Sequence, residues 1–342
     1  MRPVRDARPA RAEEGHVEHQ QHPRHPEPGT EPQGGPVYGM QLPVQSQSAL
    51  YAEPWETEAG PEDLLAVART ADRHGFDYIA CCEHVAIPRR LADAMSTVWY
   101  DPVATLAYLA AATDHVRLLS HVAVVALRHP LATAKQYATL DQLSGGRLVL
   151  GVGAGHVREE FEALGADFAA RGAVLDETVD ALKAALGEEE YPEFEGKRFS
   201  FRDLGQRPRP AQRPRPPLWV GGSSPAAVRR AARRGDGWLP QGDKRTELPA
   251  KIGTLRRLRQ EAGNDGPFTI GTIAEPLYVG TPQWDVGRRT LTGTPERIAA
   301  SLREYADMGV DQIQVRFRSR SRHELTDQMA AFGDRVGPLL RD

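Results

Sequence analysis

From residue 37 onward, short runs of β-branched and aliphatic residues alternate with stretches whose apolar positions recur at helical spacing. VYGMQLPV (37–44) reads as a first strand, and the helix PEDLLAVARTADRHG follows, with Pro61 just inside its start and Gly75 just past its end. FDYIACC (76–82) is the second strand; Asp101-Pro102 then opens a helix, an N-cap residue before a proline at the first helical position. VRLLSHVAVVA (116–126) gives a third strand. Its helix opens at Pro130, keeps Leu131, Ala134, Tyr137, Ala138 and Leu140 at helical spacing, and ends at Ser144-Gly145-Gly146. GRLVLGVGAG (146–155) is the fourth strand, and a long helical region covers 157–187, most clearly amphipathic in LDETVDALKAAL.

The rhythm breaks over 188–217, where YPEFEGKRFSF reads as a hairpin and RPRPAQRPRPP as either a recognition motif or an extended connector. That run leads directly into the strand PLWVGG (217–222), which favours the connector. SSPAAVRRAARRG is then a helix with Ser224 as cap, Pro225 in the first turn and Gly235 at the exit. GWLPQ (237–241), FTIGTIAEPLYVG (268–280) and DQIQVRF (311–317) complete the strands, with helices at 248–263, 294–309 and 323–340. Eight strands alternating with eight helical regions place the chain in the α/β class, as a (β/α)8 TIM barrel with an insertion between strands 4 and 5. A doubly wound sheet usually has fewer strands and opens on a glycine fingerprint.

The barrel domain is expected over 37–342. Residues 1–36 are rich in proline and nearly devoid of large apolar side chains, so they cannot bury enough surface to offset chain entropy and are expected to be a disordered tail. His16, His19, His22 and His25 fall at steps of three, the repeat of a polyproline II helix, which allows metal scavenging as well as an incidental solvated tail. The solvated tail is the simpler reading.

Composition narrows the partners. With a formal net charge of -3, no field stands out that would gather nucleic acid or anionic lipid, so small molecules are the expected ligands. Only Cys81 and Cys82 occur, and adjacent cysteines alternate across a strand, which places them poorly for a disulfide stapling the fold. No stretch approaches eighteen consecutive apolar residues and the N-terminus has no apolar leader, so a cytoplasmic protein in a reducing compartment is expected.

In a barrel, chemistry belongs at the C-terminal ends of strands. Glu83 and His84 stand there on strand two, His121 lies within strand three, Gly153 to His156 end strand four, and Gly221 to Ser224 end strand five. GVGAG lacks the third glycine of a dinucleotide fingerprint and ends the wrong strand; its glycines, Gly153 and Gly155 among them, are read as allowing close approach of a flat ligand. GGSSPAAV combines a glycine pair, two hydroxyls and a proline-initiated helix, which reads either as a phosphate cradle or as an ordinary capped helix start that has no need of Gly221 and Gly222. No cluster completes a metal ligand set around Glu83-His84, and none is expected. His84, with an acid beside it on the face where this fold places catalysis, reads as a general acid or base; the alternative is a packing histidine.

At these residues the chain resembles the luciferase-like monooxygenase family, a (β/α)8 superfamily of flavin or deazaflavin enzymes, over about 37–340. ADRHGFDYIACCEH looks like its second-strand signature, and the run from DPVATLAYLAAATDHVRLLS to GVGAGHVREEFEALG resembles its most characteristic block. The resemblance implies that His84 sits beside the cofactor ring and takes part in catalysis with Glu83 preceding it. It also implies that His121-Val122 is a bulge with a non-prolyl cis peptide backing the ring, and that Gly221, Gly222, Ser223 and Ser224 hold the cofactor phosphate. His156 stands where some deazaflavin dehydrogenases have a glutamate acid and many members have tryptophan, so it is the candidate second catalytic group. The family's implied activity is hydride transfer between coenzyme F420 and a small organic substrate, His84 handling the substrate proton with help from Glu83. An FMN-dependent monooxygenase using reduced flavin and oxygen is the alternative on the same scaffold, and a non-catalytic flavin-binding accessory subunit is a third. A homodimer is expected at family level.

Overall fold

The computed structural model describes residues 35–49 and 51–341. Apart from Gly35 and Pro36, the expected tail lies outside the described residues, and with it His16, His19, His22 and His25. The strands are β1 (Val37–Gln41), β2 (Tyr78–Cys81), β3 (Arg117–Ser120), β4 (Leu148–Val152), β5 (Phe194–Glu195), β6 (Ser200–Phe201), β7 (Leu218–Gly221), β8 (Gly237–Leu239), β9 (Thr269–Ile273), β10 (Leu277–Val279), β11 (Leu291–Gly293) and β12 (Gln312–Val315). Between them run α1 (Pro61–Arg73), α2 (Ala92–Met95), α3 (Pro102–Ala110), α4 (Pro130–Leu143), α5 (Arg158–Ala163), α6 (Arg171–Leu186), α7 (Pro225–Arg234), α8 (Leu248–Glu261) and α9 (Pro295–Asp307), and α10 (Arg322–Arg335) and α11 (Gly337–Arg341) end the fold. No helix among the described residues is long and apolar enough to cross a membrane.

Eight parallel strands close a barrel in the order β1-β12-β9-β8-β7-β4-β3-β2, with β1 pairing both β12 (Val37 with Gln312) and β2 (Met40 with Ile79). The (β/α)8 architecture is therefore present. Strands such as β2, β4 and β7 are buried along their whole length, because one face meets the helices and the other fills the barrel. Tyr78, Ala80, Leu119, Val149, Trp219 and Leu239 pack inside. Two glycines let the largest of them in: a Cβ on Gly39 would stand 2.4 Å from the Tyr78 ring, and one on Gly237 2.4 Å from the Trp219 ring.

The insertion between β4 and β7 contains the expected hairpin, β5 antiparallel to β6. The Arg-Pro run is a connector docked on α4, where the buried Asp141 carboxylate accepts from the Gln212 amide at 2.9 Å and from its Nε2 at 2.7 Å.

Several apolar runs break where periodicity predicts continuity. The first strand stops at Gln41, and Val44 takes φ 67 with its amide donated to the buried Glu56 carboxylate at 2.8 Å. That conformation is strained for a β-branched residue. The third strand's regular pairing stops at Ser120; Ala123 still meets β4 through an isolated bridge to Val152, and the Val124 amide then goes to the Glu83 carboxylate. The run 268–280 splits into β9 and β10 before Pro276, which has no amide to continue a ladder, and β10 pairs with β11 outside the barrel. The helical region 157–187 divides into α5 and α6 at Gly165 (φ 70) and a turn in which Asp167 accepts from the amides of Ala169 and Ala170.

Candidate functional site

The end of β2 separates its four polar residues by direction. Cys81 is fully buried, and both thiols meet the Gln45 amide group, with Gln45 Nε2 3.1 Å from Cys82 Sγ and Cys81 Sγ 3.4 Å from Gln45 Oε1. Burial pushes the Cys82 thiol up to about 11 and Cys81 well above its usual range, so neither offers a thiolate near neutral pH. Both are free and act as packing groups.

Glu83 is buried and turned away from the histidine that follows it. Its carboxylate pairs with Arg128 and accepts from the Val124 amide at 2.6 Å, fastening the segment after β3 to the end of β2. The expectation that Glu83 assists His84 is thus corrected: its charge is compensated by Arg128 and does a positioning task.

The acid that meets His84 comes from α5. His84 Nδ1 lies 3.1 Å from Glu160 Oε2, the histidine side chain 7% and the carboxylate 0% exposed. Glu160 Oε1 accepts from the amides of Val85 and, at 3.2 Å, Ala86. Burial alone would raise the Glu160 carboxyl, but the bond to His84 and the two amides outweigh it and hold the group below its ordinary value. It is therefore a fixed buried anion. His84 Nε2 has no partner among the described residues, and its ring stands edge-on between Trp99, at 4.5 Å, and His156, at 5.2 Å between centroids. His156 is held toward its neutral form by desolvation and by the neighbouring His84.

Glu160 escaped the sequence reading. REEFEA offers consecutive acids, and only the register of the short helix turns Glu160 inward while Glu159 pairs with Arg90 at the surface. Its one signal was position, four residues past His156 in the loop region where the fold places chemistry.

On the neighbouring strand end, after β3, the His121-Val122 peptide is cis, as the resemblance implied. His121 is buried, with Nδ1 2.8 Å from Gln314 Oε1 and Nε2 without a partner among the described residues, and desolvation pushes it down to about 4. Val122 explains two of the glycines. A Cβ on Gly153 would meet Val122 Cγ2 at 2.4 Å and one on Gly221 would meet Val122 Cγ1 at 2.4 Å. Gly155 takes φ 72 with its missing Cβ against Val124 and Phe161. All three glycines make room for protein side chains, a packing role beside the approach of a flat ligand expected at Gly153 and Gly155 and the phosphate contact expected at Gly221.

At the end of β7 the two hydroxyls are both engaged. Ser224 Oγ caps the Ala227 amide at 3.2 Å, and Ser223 Oγ bonds to the Gln241 carbonyl and amide, each at 2.8 Å, and to Asp243, whose charge Lys251 neutralises. Gly222, at φ 110, turns the chain so that the amides of Ser223, Ser224 and Ala226 stand without acceptors among the described residues. Three free N–H groups at the positive end of a ten-residue helix suit a phosphate, so the donor set fits the distal part of a flavin or deazaflavin nucleotide through its backbone.

The site thus combines an anion-supported histidine with a free ring nitrogen, flanked by aromatic rings, and a backbone cradle farther round the same rim. The family described as luciferase-like monooxygenase matches residues 38–284. An uncharacterized protein of Mycobacterium tuberculosis is 38% identical over 168 residues, 49% of this chain and 57% of that relative. The FMNH2-dependent dimethylsulfone monooxygenase of Pseudomonas putida is 25% identical over 327 residues, covering 81% of this chain and 87% of its own. Among solved structures, an F420-dependent secondary alcohol dehydrogenase in complex with an F420-acetone adduct superposes with a TM-score of 0.72 at 17% identity, over 90% of this chain and 100% of that one. At that identity the likeness carries the fold and nothing finer.

Proposed function

The chain belongs to the luciferase-like monooxygenase family, and from that premise we propose that it is an oxidoreductase passing a hydride between deazaflavin coenzyme F420 and a small organic substrate. The observation that carries the reading is His84, its Nδ1 on the buried Glu160 carboxylate and its Nε2 open on the C-terminal face. When a carbinol carbon gives up a hydride, the hydroxyl proton must go to a base, and in the reverse direction the new oxyanion must receive one. A bound deazaflavin supplies the two-electron hydride acceptor or donor at C5. His84 Nε2 takes or returns the proton. Glu160, fixed by the Val85 and Ala86 amides, orients the ring and stabilises the imidazolium that results. The amides of Ser223, Ser224 and Ala226 hold the cofactor phosphate, and His156 stands close enough to His84 to be the second acid or base. The same reading carries a cytoplasmic homodimer acting on a small molecule.

A second reading, an FMN-dependent monooxygenase using reduced flavin and oxygen, is favoured by the Pseudomonas putida relative, which matches most of this chain. A non-catalytic accessory subunit accounts less well for the His84–Glu160 pair, since a pure binder has no use for a supported base. Titration of the purified protein with F420 and FMN in both redox states, followed by hydride exchange on a panel of alcohols and alkenes, separates these. Tight FMN binding without F420 affinity would sink the leading reading. His84→Ala should abolish most turnover and spare cofactor binding, and unchanged turnover removes the proposed role of His84.

A further inference from the structure

We infer that a cavity on the barrel rim, lined by Arg245, Arg288 and Arg289, receives a multiply anionic chain; resting on the cofactor proposed above, that chain is the glutamyl tail that F420 carries beyond its phosphate and FMN lacks. The cavity measures about 280 Å³ and is completed by Glu275, Thr290 and Ser301. A water molecule occupies roughly 30 Å³ of liquid, so the space takes a short chain of carboxylates and not only one ion.

Its charge is unevenly satisfied. Arg245 is stacked on the Tyr305 ring at 4.1 Å and paired with Glu275 at 3.1 Å and Glu304 at 2.6 Å, so it forms a fixed wall. Its Nη1 and Nη2 also lie within 3.4 Å of Ser301 Oγ. Arg288 and Arg289 have no ion pair among the described residues. Both are exposed, and the backbone turn that carries them is stapled by Thr290 Oγ1 on the Val286 carbonyl at 2.5 Å and by the Thr290 amide on the Gly287 carbonyl at 3.1 Å. Two uncompensated guanidinium groups, presented on a stapled turn beside the Ser301 hydroxyl, match carboxylate oxygens. Glu275 is the one carboxylate in the lining, and it is occupied by Arg245 and by the Tyr305 hydroxyl at 3.0 Å.

Position selects the occupant. Around the barrel β2 and β3 lead to β4, β4 to β7, β7 to β8 and β8 to β9. His84 and His156 follow β2 and β4, the phosphate cradle follows β7, and the cavity follows β8 and β9, so ring, phosphate and tail lie in order along the rim. Asp243, bonded to Ser223 of the cradle, is two residues from Arg245, a span of at most about 7 Å.

The test titrates the apo protein, followed by cofactor fluorescence, with F420 bearing several glutamates, with the glutamate-free form, and with FMN. Arg288→Ala with Arg289→Ala should weaken the tailed form at least ten-fold and leave the glutamate-free form within two-fold, and the lysine pair should restore most of the difference. Equal effects on both forms, or none, overturn the inference. If no deazaflavin binds, the proposed cofactor has failed, and the cavity is judged by calorimetry with a free tri-γ-glutamyl peptide. Binding lost in the alanine pair then upholds an anion site, and no binding to the unaltered protein overturns it.

Discussion

His121→Gln should flatten the dependence of folding stability on pH. The wild-type imidazole is 4% exposed, donates one bond from Nδ1 to Gln314 Oε1, leaves Nε2 unpartnered among the described residues, and is pushed by desolvation from 6.5 down to about 4. In the unfolded chain the same group titrates near 6.5. Above that pH both states are neutral and the full stability is present; as pH falls, the unfolded state takes up a proton that the folded state refuses, and stability drops until the folded group protonates in turn. The sign follows from linkage, since stability rises with pH wherever the unfolded state binds more protons. A shift of this size is worth about 3 kcal/mol in total, of which about 2 kcal/mol falls between pH 7.5 and 5. Urea unfolding of both proteins at those two pH values isolates the term, because every other titrating group is common to them. The wild type should lose about 2 kcal/mol more than the variant over that interval. Equal losses would refute the reasoning. If the variant does not fold, the ring proton of His121 followed by NMR in the wild type decides the matter, and a midpoint near 6.5 would refute it equally.

Glu160→Gln keeps the shape but removes the charge beneath His84. The loss of a charge-assisted bond, about 1.5–3 kcal/mol, should lower turnover by roughly 10- to 100-fold while cofactor dissociation constants stay within about two-fold; loss of cofactor binding in step with turnover would make Glu160 merely structural. The same variant should be less sensitive to acid, since the wild-type carboxyl lies below its ordinary value of 4.5 and its stabilisation, complete above that pH, disappears as pH falls through the folded value. Gly221→Ala drives a Cβ to 2.4 Å from Val122 Cγ1 and should cost about 1–3 kcal/mol in chemical denaturation. Adding Val122→Ala should recover most of that. Additive losses in the pair would show that the glycine serves something other than Val122.

The barrel was legible because its signals are local. Caps and proline starts mark the helices at Asp101-Pro102, Ser224-Pro225 and Thr294-Pro295, and in all three the capping side chain accepts from the expected amide. The misread boundaries have tertiary causes. Nothing in HVAVVA says that the Val124 amide will bond to a carboxylate forty-one residues earlier.

The candidate site divides in the same way. Sequence alone was enough to locate the candidate strand ends, because a parallel barrel exposes those ends on one face, and it placed His84, His156 and the helix start after Gly222 there. Which partners those residues keep follows from the packing of distant segments. Successive residues on extended chain point to opposite sides, so Glu83 and His84, adjacent in sequence, turn to different neighbours, Arg128 and Glu160. The glycines follow the same logic: their spacing shows that something approaches closely, and only the packed barrel shows that at Gly153 and Gly221 it is the Val122 side chain. A hydrogen-bond partner brought from another strand or helix depends on register and helix rotation, which local periodicity does not encode.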